Sequence, residues 1–257
     1  MKGKMMISIG FGQNIIDHYF YGGQYMGSSS GGSVWNIISN IASLGGKVVA
    51  LGMITGDYGG DIFIEEMKNL GIDISHMDIK KRLKSNAMFI DVPSNYDHNN
   101  EVKANYKCPI CGKVHWKTRK VLEEFDFSFL DEQEVLLIID NIKSDNIEII
   151  KKLKEKSKVL IVAQDLGHKY NLRFKKGYEL REYFSNVDVL QIKKEVIEFL
   201  LKRMDMTIEE FLRECNLLKI IVTNGNEGCC ICECVKGEYL EKRYYKSKKY
   251  NVVDSSG

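Results

Sequence analysis

Residues 31–36 read Gly-Gly-Ser-Val-Trp-Asn, and this stretch decides how the first part of the chain folds. After the two glycines, apolar residues recur at helical spacing: Val34, Ile37, Ile38, Ile41 and Leu44. The periodicity predicts an amphipathic helix over 33–44 that ends at Gly45. Because glycine has no Cβ, the pair Gly31-Gly32 lets backbone N–H groups at the helix start approach a ligand. The stretch is therefore a candidate binding turn as well as a helix start.

Outward from this helix, short apolar runs alternate with helical patterns. The predicted strands are 4–9, which ends at Gly10, and then 47–54, 135–140, 159–163, 187–191 and 219–223. The further predicted helices are 61–70, 144–156, 194–203 and 207–215, the last beginning with a Thr207–Glu210 capping box. Such alternation predicts an α/β fold whose mainly parallel sheet is covered on both faces.

Residues 84–120 interrupt the alternation. They contain both prolines of the chain, Pro93 and Pro109, and a turn rich in Asn, Asp and His. We interpret this segment as a β-rich excursion from the main sheet that forms a lid or flap.

Composition narrows the class of protein. The 257 residues carry a formal charge of only +2, with 44% apolar and 28% charged residues, which is typical of a globular chain and not of a nucleic-acid coat protein. No apolar run reaches the length of a membrane helix, which is about 18 residues or more. Seven cysteines in two main clusters make a poor disulfide framework. These features predict a protein of the reducing cytoplasm.

The order of the glycine clusters indicates a family. GGSVWN is followed by Gly45, Gly52, Gly56-Asp57, Gly60 and Gly71-Ile72-Asp73, then by Asp165 after a strand, and then by Thr223-Asn-Gly225-Asn-Glu-Gly228. The chain ends Asp254-Ser255-Ser256-Gly257, which matches the opening of a D-T-T-G-A-G-D motif. The series resembles the ribokinase family, the PfkB carbohydrate kinases, over almost the whole chain.

The resemblance implies a ribokinase-like three-layer α/β/α sandwich, with a mainly parallel sheet and a small β-rich lid. Residues 1–257 would form one such domain, incomplete at its C-terminus, and the lid would consist of about 13–30 and 84–120.

The resemblance also implies the site residues. Substrate hydroxyls would bind at Asp17, Gly31, Gly32 and Asn36. ATP would lie beside Lys193, Thr223, Gly225, Gly228 and Asp254. Ser255, Ser256 and Gly257 would begin the anion hole for the transferring phosphoryl group. In the family the aspartate that ends this motif takes the proton from the sugar hydroxyl, and here it is expected beyond Gly257.

One departure concerns the metal. After the strand at 187–191 the family usually has N-x-x-E, whereas this chain has Lys193 and Val196 at those two positions. Glu195 is the substitute candidate for Mg²⁺ in a shifted register. The expected cofactors are ATP, Mg²⁺ and a monovalent cation, with structural Zn²⁺ considered next.

Cys108-Pro-Ile-Cys111-Gly resembles a zinc knuckle, with His115 four residues further on. The alternative is a β-turn with two free thiols. His115, His98 or a knuckle of a second subunit would complete the zinc site. The other cluster, Cys229, Cys230, Cys232 and Cys234, is better explained as small core side chains on a strand. A second knuckle that pairs Cys229–Cys232 with Cys108–Cys111 is the alternative.

Two further features have competing interpretations. His18 lies beside Asp17 and either contacts substrate or fills the pocket wall as a polar residue. Residues 236–250 alternate basic and tyrosine side chains, which predicts a solvated strand pair or, less simply, a single-strand nucleic-acid surface.

The leading hypothesis is an ATP-dependent phosphotransferase that acts on a hydroxymethyl group of a sugar or nucleoside. The alternatives are a non-catalytic sugar- or nucleoside-binding relative (a pseudokinase) and a zinc-stabilised nucleic-acid-binding module. The expected partner is a small-molecule substrate, without nucleic acid or membrane, and the lid would mediate a homodimer.

Overall fold

The computed structural model describes residues 6–94, 103–115, 128–130, 134–139, 150–155, 158–164, 177–235 and 239–247. Contacts within the chain divide it into two units. We call the unit that contains Ile7–Phe125 the N-terminal unit and the unit that contains Asp126–Tyr250 the C-terminal unit. Each is described by itself.

The N-terminal unit has a parallel sheet with helices. Its strands β1 (Ile7–Gln13), β4 (Val48–Thr55) and β5 (Met77–Lys80) pair in that order, all in parallel. Helix α1 (Ser33–Ser43) packs against β1, and helix α2 (Tyr58–Asn69) lies between β4 and β5 in sequence. Every residue of β4 is buried, which is typical of a parallel strand with both faces covered.

A second, smaller sheet belongs to the same unit. It consists of β2 (Ile15–Tyr21), β3 (Gln24–Gly31), β6 (Asn86–Val92) and β7 (Lys103–Asn105), in the order β3-β2-β6-β7. The central pair β2 and β6 is parallel, and both outer pairings are antiparallel. The β-rich excursion predicted from 84–120 is thus a real sheet in its described part, and β2 and β3 complete it.

The predicted end of the first strand at Gly10 is wrong, because β1 continues to Gln13. The glycines here make room for α1. A Cβ on Gly10 would lie 2.7 Å from Cγ2 of Ile38, and a Cβ on Gly12 would lie 3.2 Å from the Trp35 ring. Gly10 and Gly12 therefore allow close helix-to-strand packing.

The C-terminal unit has a mainly parallel sheet in its described residues. Strands β8 (Glu134–Ile139), β9 (Lys158–Gln164), β10 (Val189–Lys193) and β11 (Lys219–Thr223) pair in that order and in parallel. Strands β12 (Cys229–Val235) and β13 (Tyr239–Tyr245) extend it as an antiparallel hairpin. The helices are α3 (Gly177–Phe184), α4 (Lys194–Met204) and α5 (Ile208–Glu214), and residues 150–155 are also helical.

Side-chain caps fix the first residue of two helices, α5 and α2. The predicted capping box of α5 is confirmed: the Thr207 hydroxyl accepts from the N–H of Glu210, and the Glu210 carboxylate accepts from the N–H of Thr207. Helix α2 begins at Tyr58, three residues before the predicted start at Asp61, because Asp57 caps it by accepting from the N–H of Gly60.

The predicted α/β class, with a mainly parallel sheet and a smaller second sheet, is confirmed. Among the residues that the structure describes, no helix has the length and apolar character needed to cross a membrane.

Candidate functional site

Asp17 is the most enclosed charged side chain among the described site candidates. It lies on β2, opposite Ser29 of β3 and Met88 of β6, and only 9% of it is exposed. Its carboxyl group lies directly over the backbone of Gly31, so that a Cβ on Gly31 would overlap the carboxyl atoms. Two of the predicted substrate residues, far apart in sequence, are thus brought together.

The other two predicted substrate residues continue from this point into α1. Gly32 is the N-cap of the helix and has a φ of 100°, a conformation that side-chain-bearing residues rarely adopt. A Cβ there would also lie 2.9 Å from Cδ1 of Ile15. Asn36 is half-buried one turn further on, and its N–H makes the first helical hydrogen bond, 3.0 Å to the Gly32 carbonyl. The helix start therefore has the tight geometry that the sequence predicted.

The strand that precedes Gly31 is fixed from α2. The carboxylate of Glu66 accepts from the backbone N–H of Ser30 at 2.7 Å and also from the Ser30 hydroxyl. This contact holds the backbone beside Gly31 to a helix, and sequence reasoning missed it because it joins residues 36 positions apart.

Sequence reasoning also missed a buried polar network in the same unit. The Asn14 amide donates to the hydroxyls of Thr55, at 3.1 Å, and Ser85, at 2.9 Å, while its oxygen accepts from the N–H of Thr55 at 3.0 Å. Asp57 accepts from the Ser85 hydroxyl at 2.7 Å, the Thr55 hydroxyl at 2.8 Å and the Ser85 N–H at 2.9 Å. One sequence signal was available: Asn14 and Thr55 lie where the parallel strands β1 and β4 end, which is where α/β proteins bind ligands.

The network sets the charge state of Asp57. Partial burial alone would raise the pKa of its carboxyl group, but the hydrogen bonds from Ser85, Thr55 and Gly60 outweigh burial and hold the pKa below its ordinary value. Asp57 is therefore a charged helix cap, and its bonds tie α2 to the segment before β6.

In the C-terminal unit, the predicted nucleotide residues lie at the carboxyl ends of two adjacent strands. Lys193 ends β10 and Thr223 ends β11, and they are direct partners in the parallel register. Lys193 is also the N-cap of α4. The two residues are thus neighbours in space although 30 positions separate them in the chain.

The turn after Thr223 is held by its own backbone. The N–H of Asn224 donates to the Gly228 carbonyl at 2.8 Å, and the N–H of Gly228 donates to the Gly225 carbonyl at 3.2 Å. Gly228 has a φ of 108°, and a Cβ there would overlap the Tyr245 carbonyl and lie 2.8 Å from the Ser247 nitrogen. The glycine is required because the turn packs against the end of β13.

The two neighbouring residues considered for the metal, Glu195 and Val196, lie in different environments. Glu195 is exposed in the first turn of α4, whereas Val196 is only 3% exposed and belongs to the core with Ile197 and Leu200. The family's usual glutamate position is thus an apolar core position in this chain.

Several predicted residues lie outside the described part of the chain. They are Asp165, Asp254, Ser255, Ser256 and Gly257, and also His98 and the first part of the predicted helix 144–156.

Cys108, Cys111 and His115 come together in one cluster. Their ligand atoms all lie within 4.8 Å of one another, and Sγ of Cys111 is 3.4 Å from Nε2 of His115. Partial burial would raise the pKa of the Cys108 thiol, but hydrogen bonds from the N–H groups of Cys111 and Ile110 lower it. The spacing that predicted a half-site for zinc therefore produces three converging donors.

The second cysteine cluster resembles core. Cys232 is 2% exposed, and burial raises the pKa of its thiol to about 12. Its sulfur is 3.7 Å from that of Cys230, and Cys229 is half-buried. A thiol that stays protonated is a poor metal ligand, which favours the core interpretation. The burial of Cys234 lies outside what the structure describes.

His18 lies on β2 of the small sheet and contacts its neighbouring strands. Its Nδ1 is 2.5 Å from the Ser28 hydroxyl, and its ring stacks on Phe89 with centroids 5.2 Å apart. Burial, and then the nearby His115, lower the pKa of His18. These contacts explain His18 as a packed polar residue of the small sheet.

In the described part of the basic segment, two cations pair with acidic neighbours. Lys242 pairs with Glu209 at 3.6 Å, and Arg243 pairs with Glu233. The pattern is that of a solvated hairpin.

Comparison with known proteins places these features in context. The family model of the pfkB carbohydrate kinases matches residues 15–257. No curated protein sequence matches the chain significantly.

Solved structures share the fold at low sequence identity. A nucleoside kinase of the ribokinase family from Methanocaldococcus jannaschii is 18% identical with a TM-score of 0.67, over 95% of this chain and 77% of that one. A fructokinase from Xylella fastidiosa with bound ATP is 15% identical with a TM-score of 0.70, over 92% and 73%. An aminoimidazole riboside kinase from Salmonella enterica is 14% identical with a TM-score of 0.66, over 98% and 80%. The fold is ribokinase-like, and the chain belongs to the pfkB family of carbohydrate kinases.

Proposed function

We propose that this protein is an ATP-dependent kinase that adds phosphate to a hydroxymethyl group of a sugar or nucleoside. The observation that carries the proposal is the Asp17 carboxyl group, held over Gly31 at the start of α1 in a pfkB-family chain. A carboxyl group in this position can accept hydrogen bonds from vicinal hydroxyls, which sugars and nucleosides share.

The start of α1 supplies the complementary donors. The N-cap Gly32 has no Cβ, so a substrate can come close to the backbone at the helix start. Asn36 adds an amide one turn further on. An acceptor from Asp17 and the amide of Asn36 suit a polyhydroxylated substrate, and aminoimidazole riboside, which the Salmonella kinase binds, is a ligand of that class.

On the nucleotide side, we assign ATP to Lys193 and to the turn formed by Thr223, Gly225 and Gly228. The ATP-bound fructokinase of Xylella supports this cofactor. The Lys193 ammonium group would lie against phosphate, and Asp254 would complete this side. Mg²⁺ neutralises phosphate charge when it is bound, and Glu195, an exposed carboxylate in the first turn of α4, would hold it.

The transfer step follows from these assignments. The substrate hydroxyl oxygen forms a bond to the γ-phosphorus, the bond from that phosphorus to the β–γ bridging oxygen breaks, and ADP leaves. The hydroxyl proton passes to a carboxylate that acts as general base. Backbone N–H groups of Ser255, Ser256 and Gly257 would hold the transferring group, and a monovalent cation bound nearby would add positive charge.

The test is ADP formation by the purified protein with a panel of pentoses, hexoses and nucleosides. We expect turnover with at least one compound, and a fall of kcat/KM of about 100-fold or more in Asp17→Asn, since oriented hydrogen bonds are lost. Asp78→Asn is the matched control, because Asp78 is an exposed carboxylate paired with Lys80. Absence of turnover with every compound would refute the proposal.

Val196 and Lys193 favour one second candidate, a non-catalytic binder of the same ligands. In this case a sugar or nucleoside would raise the melting temperature without ADP formation. A ligand that both stabilises the protein and is phosphorylated excludes this alternative.

We also propose a cytoplasmic homodimer that forms through the small sheet. On the edge strand β3, Tyr25 is 51% and Met26 is 64% exposed, which makes this edge suitable for association. Sedimentation should give a dimer, and Met26→Lys should shift it towards monomer. A wild-type protein that sediments as a monomer at high concentration would contradict the dimer.

A further inference from the structure

The hairpin from Lys103 to His115 carries a cluster that the proposed kinase chemistry does not use. Cys108 and Cys111 belong to a tight turn. Gly112, which follows Cys111, has a φ of 67°. The N–H of Gly112 donates to the Cys108 carbonyl at 2.9 Å, and the N–H of Cys108 donates to the Lys113 carbonyl at 2.9 Å. The backbone thus fixes both sulfurs on one side of a closed loop.

The turn also directs backbone donors towards sulfur. The N–H groups of Ile110 and Cys111 donate to Sγ of Cys108.

The separation of the donors fits one ion. With Zn–S of about 2.3 Å and Zn–N of about 2.0–2.1 Å, a tetrahedral angle gives a sulfur-to-nitrogen distance of roughly 3.6 Å. The observed distance from Sγ of Cys111 to Nε2 of His115 is 3.4 Å. All three donor atoms lie within 4.8 Å of one another.

We propose that Cys108, Cys111 and His115 bind one Zn²⁺ ion, which braces the hairpin against the small sheet. The donor set of two thiolates and one imidazole is typical of zinc. Among the residues that the structure describes, no fourth His, Cys, Asp or Glu joins the cluster. The fourth ligand is therefore a water molecule or a group supplied from elsewhere.

The cluster is attached to the sheet at several points, so the metal would stabilise more than the turn. Cys108 packs against the small core of Phe20, Ala87 and Phe89. The N–H of Ala87 donates to the His115 carbonyl at 2.8 Å, and the His115 ring meets the edge of Phe89 at 5.9 Å.

The same contacts extend towards the substrate side of the N-terminal unit. The ring of His18 also stacks on Phe89, with the two ring centroids 5.2 Å apart, and His18 is adjacent to Asp17 on β2. Zinc that holds His115 would limit motion of Phe89 and, through it, of the strand that carries Asp17.

Metal content is the direct test, and it needs no kinase assay. Protein purified from zinc-supplemented medium should contain about one zinc per chain by elemental analysis. Cys111→Ser and His115→Ala should each lower zinc affinity at least tenfold. Both side chains are exposed, so these variants should fold. Cys229→Ser and His76→Ala are the matched controls outside the cluster and should keep the metal.

Cobalt substitution identifies the ligands. Co²⁺ bound in place of zinc should give thiolate charge-transfer absorption and the visible bands of a tetrahedral ion, and Cys111→Ser should weaken the charge-transfer absorption. Removing zinc with a chelator should lower the melting temperature, and adding zinc back should restore it.

Three results would overturn the proposal. They are wild-type protein without stoichiometric zinc that also fails to bind added zinc, metal that remains in both variants, and a Cys108–Cys111 disulfide in protein purified under reducing conditions. Because all three are independent of ADP formation, failure here is distinguishable from failure of the proposed kinase activity.

Discussion

In the N-terminal unit the candidate substrate residue Asp17 is only 9% exposed. In the C-terminal unit the candidate nucleotide residues Lys193 and Gly225 and the candidate metal residue Glu195 are exposed. Throughout the described residues, every buried polar side chain lies in the N-terminal unit: Ser8, Asn14, Asp17, Thr55 and Asn86. The candidate site residue Asp17 is therefore held by burial in the N-terminal unit, whereas the candidate residues named in the C-terminal unit face solvent.

Burial determines how much free energy a substitution costs in each unit. A buried polar group costs about 1–3 kcal/mol if it loses its partners, so a satisfied network is rigid and intolerant of change. An exposed group at a strand end costs little to replace. We therefore expect substitutions around Asp17 to reduce stability and binding together, and substitutions of exposed residues in the C-terminal unit to change nucleotide affinity alone.

Gly31→Ala should have the largest effect and tests the N-terminal side of the comparison. The new Cβ would displace the Asp17 carboxyl group, so we expect kcat/KM to fall by about 100-fold or more, with a loss of about 2–3 kcal/mol in the free energy of unfolding. Steady-state kinetics and urea unfolding measure the two losses.

The double variant Gly31→Ala with Asp17→Ala isolates the cause. It removes the overlap, so stability should recover relative to Gly31→Ala while activity stays low. If stability does not recover, the overlap with Asp17 is not the reason why position 31 requires glycine.

Val196→Glu tests the C-terminal unit, because it introduces glutamate at the position where the family usually has it. Val196 is 3% exposed, so a carboxylate there would be buried without an arranged partner. We expect a loss on the order of 3 kcal/mol in the free energy of unfolding, measured by urea titration. Adding Lys193→Asn should not restore stability, since Lys193 is exposed. A stable, more active double variant would contradict the core assignment of Val196.

The same contrast explains what the sequence could predict. Local signals worked: the apolar period and Gly45 predicted α1, and Thr207 with Glu210 predicted the cap of α5. Asp17 and Gly31 were predicted as substrate residues through family resemblance, and their direct contact is a feature that the structure adds. Features that depend on distant partners were missed.

The network of Asn14, Thr55 and Ser85 joins residues 41 and 71 positions apart, and no periodicity encodes such pairings. Gly10 was misread for a related reason. A glycine that ends a strand and a glycine that makes room for a helix look identical in sequence, and only the Ile38 side chain above it distinguishes them.

Gly228→Ala and Gly225→Ala form a matched pair for the nucleotide turn. Both glycines have positive φ, but a Cβ on Gly228 would overlap the backbone at Tyr245, while a Cβ on Gly225 would meet nothing within 4 Å. We expect Gly225→Ala to cost about 1 kcal/mol from backbone strain and Gly228→Ala about 2–3 kcal/mol, by thermal unfolding. Equal losses would show that conformation alone, and not packing against β13, sets the glycine requirement.

Asp57→Asn should have a smaller effect than Gly228→Ala, and its dependence on pH makes it diagnostic. An asparagine amide replaces one acceptor of the Ser85 and Thr55 hydrogen bonds, so we expect a loss of about 1–2 kcal/mol at pH 7. The folded-state pKa of Asp57 lies below its ordinary value of 3.8. The wild-type carboxylate therefore contributes its full stability above that ordinary value, and loses it as the pH falls through the lower folded-state pKa.

The difference in unfolding free energy between wild type and Asp57→Asn should accordingly be constant near neutral pH. It should begin to shrink below about pH 4, as Asp57 of the unfolded wild type takes up a proton, and should reach its minimum once the pH lies below the folded-state pKa. Urea titrations at stepped pH values measure it, with Asp61→Asn as the exposed control on the same helix. A difference that stays constant down to pH 2 would mean that the hydrogen bonds to Asp57 stabilise the fold through their geometry and not through its charge.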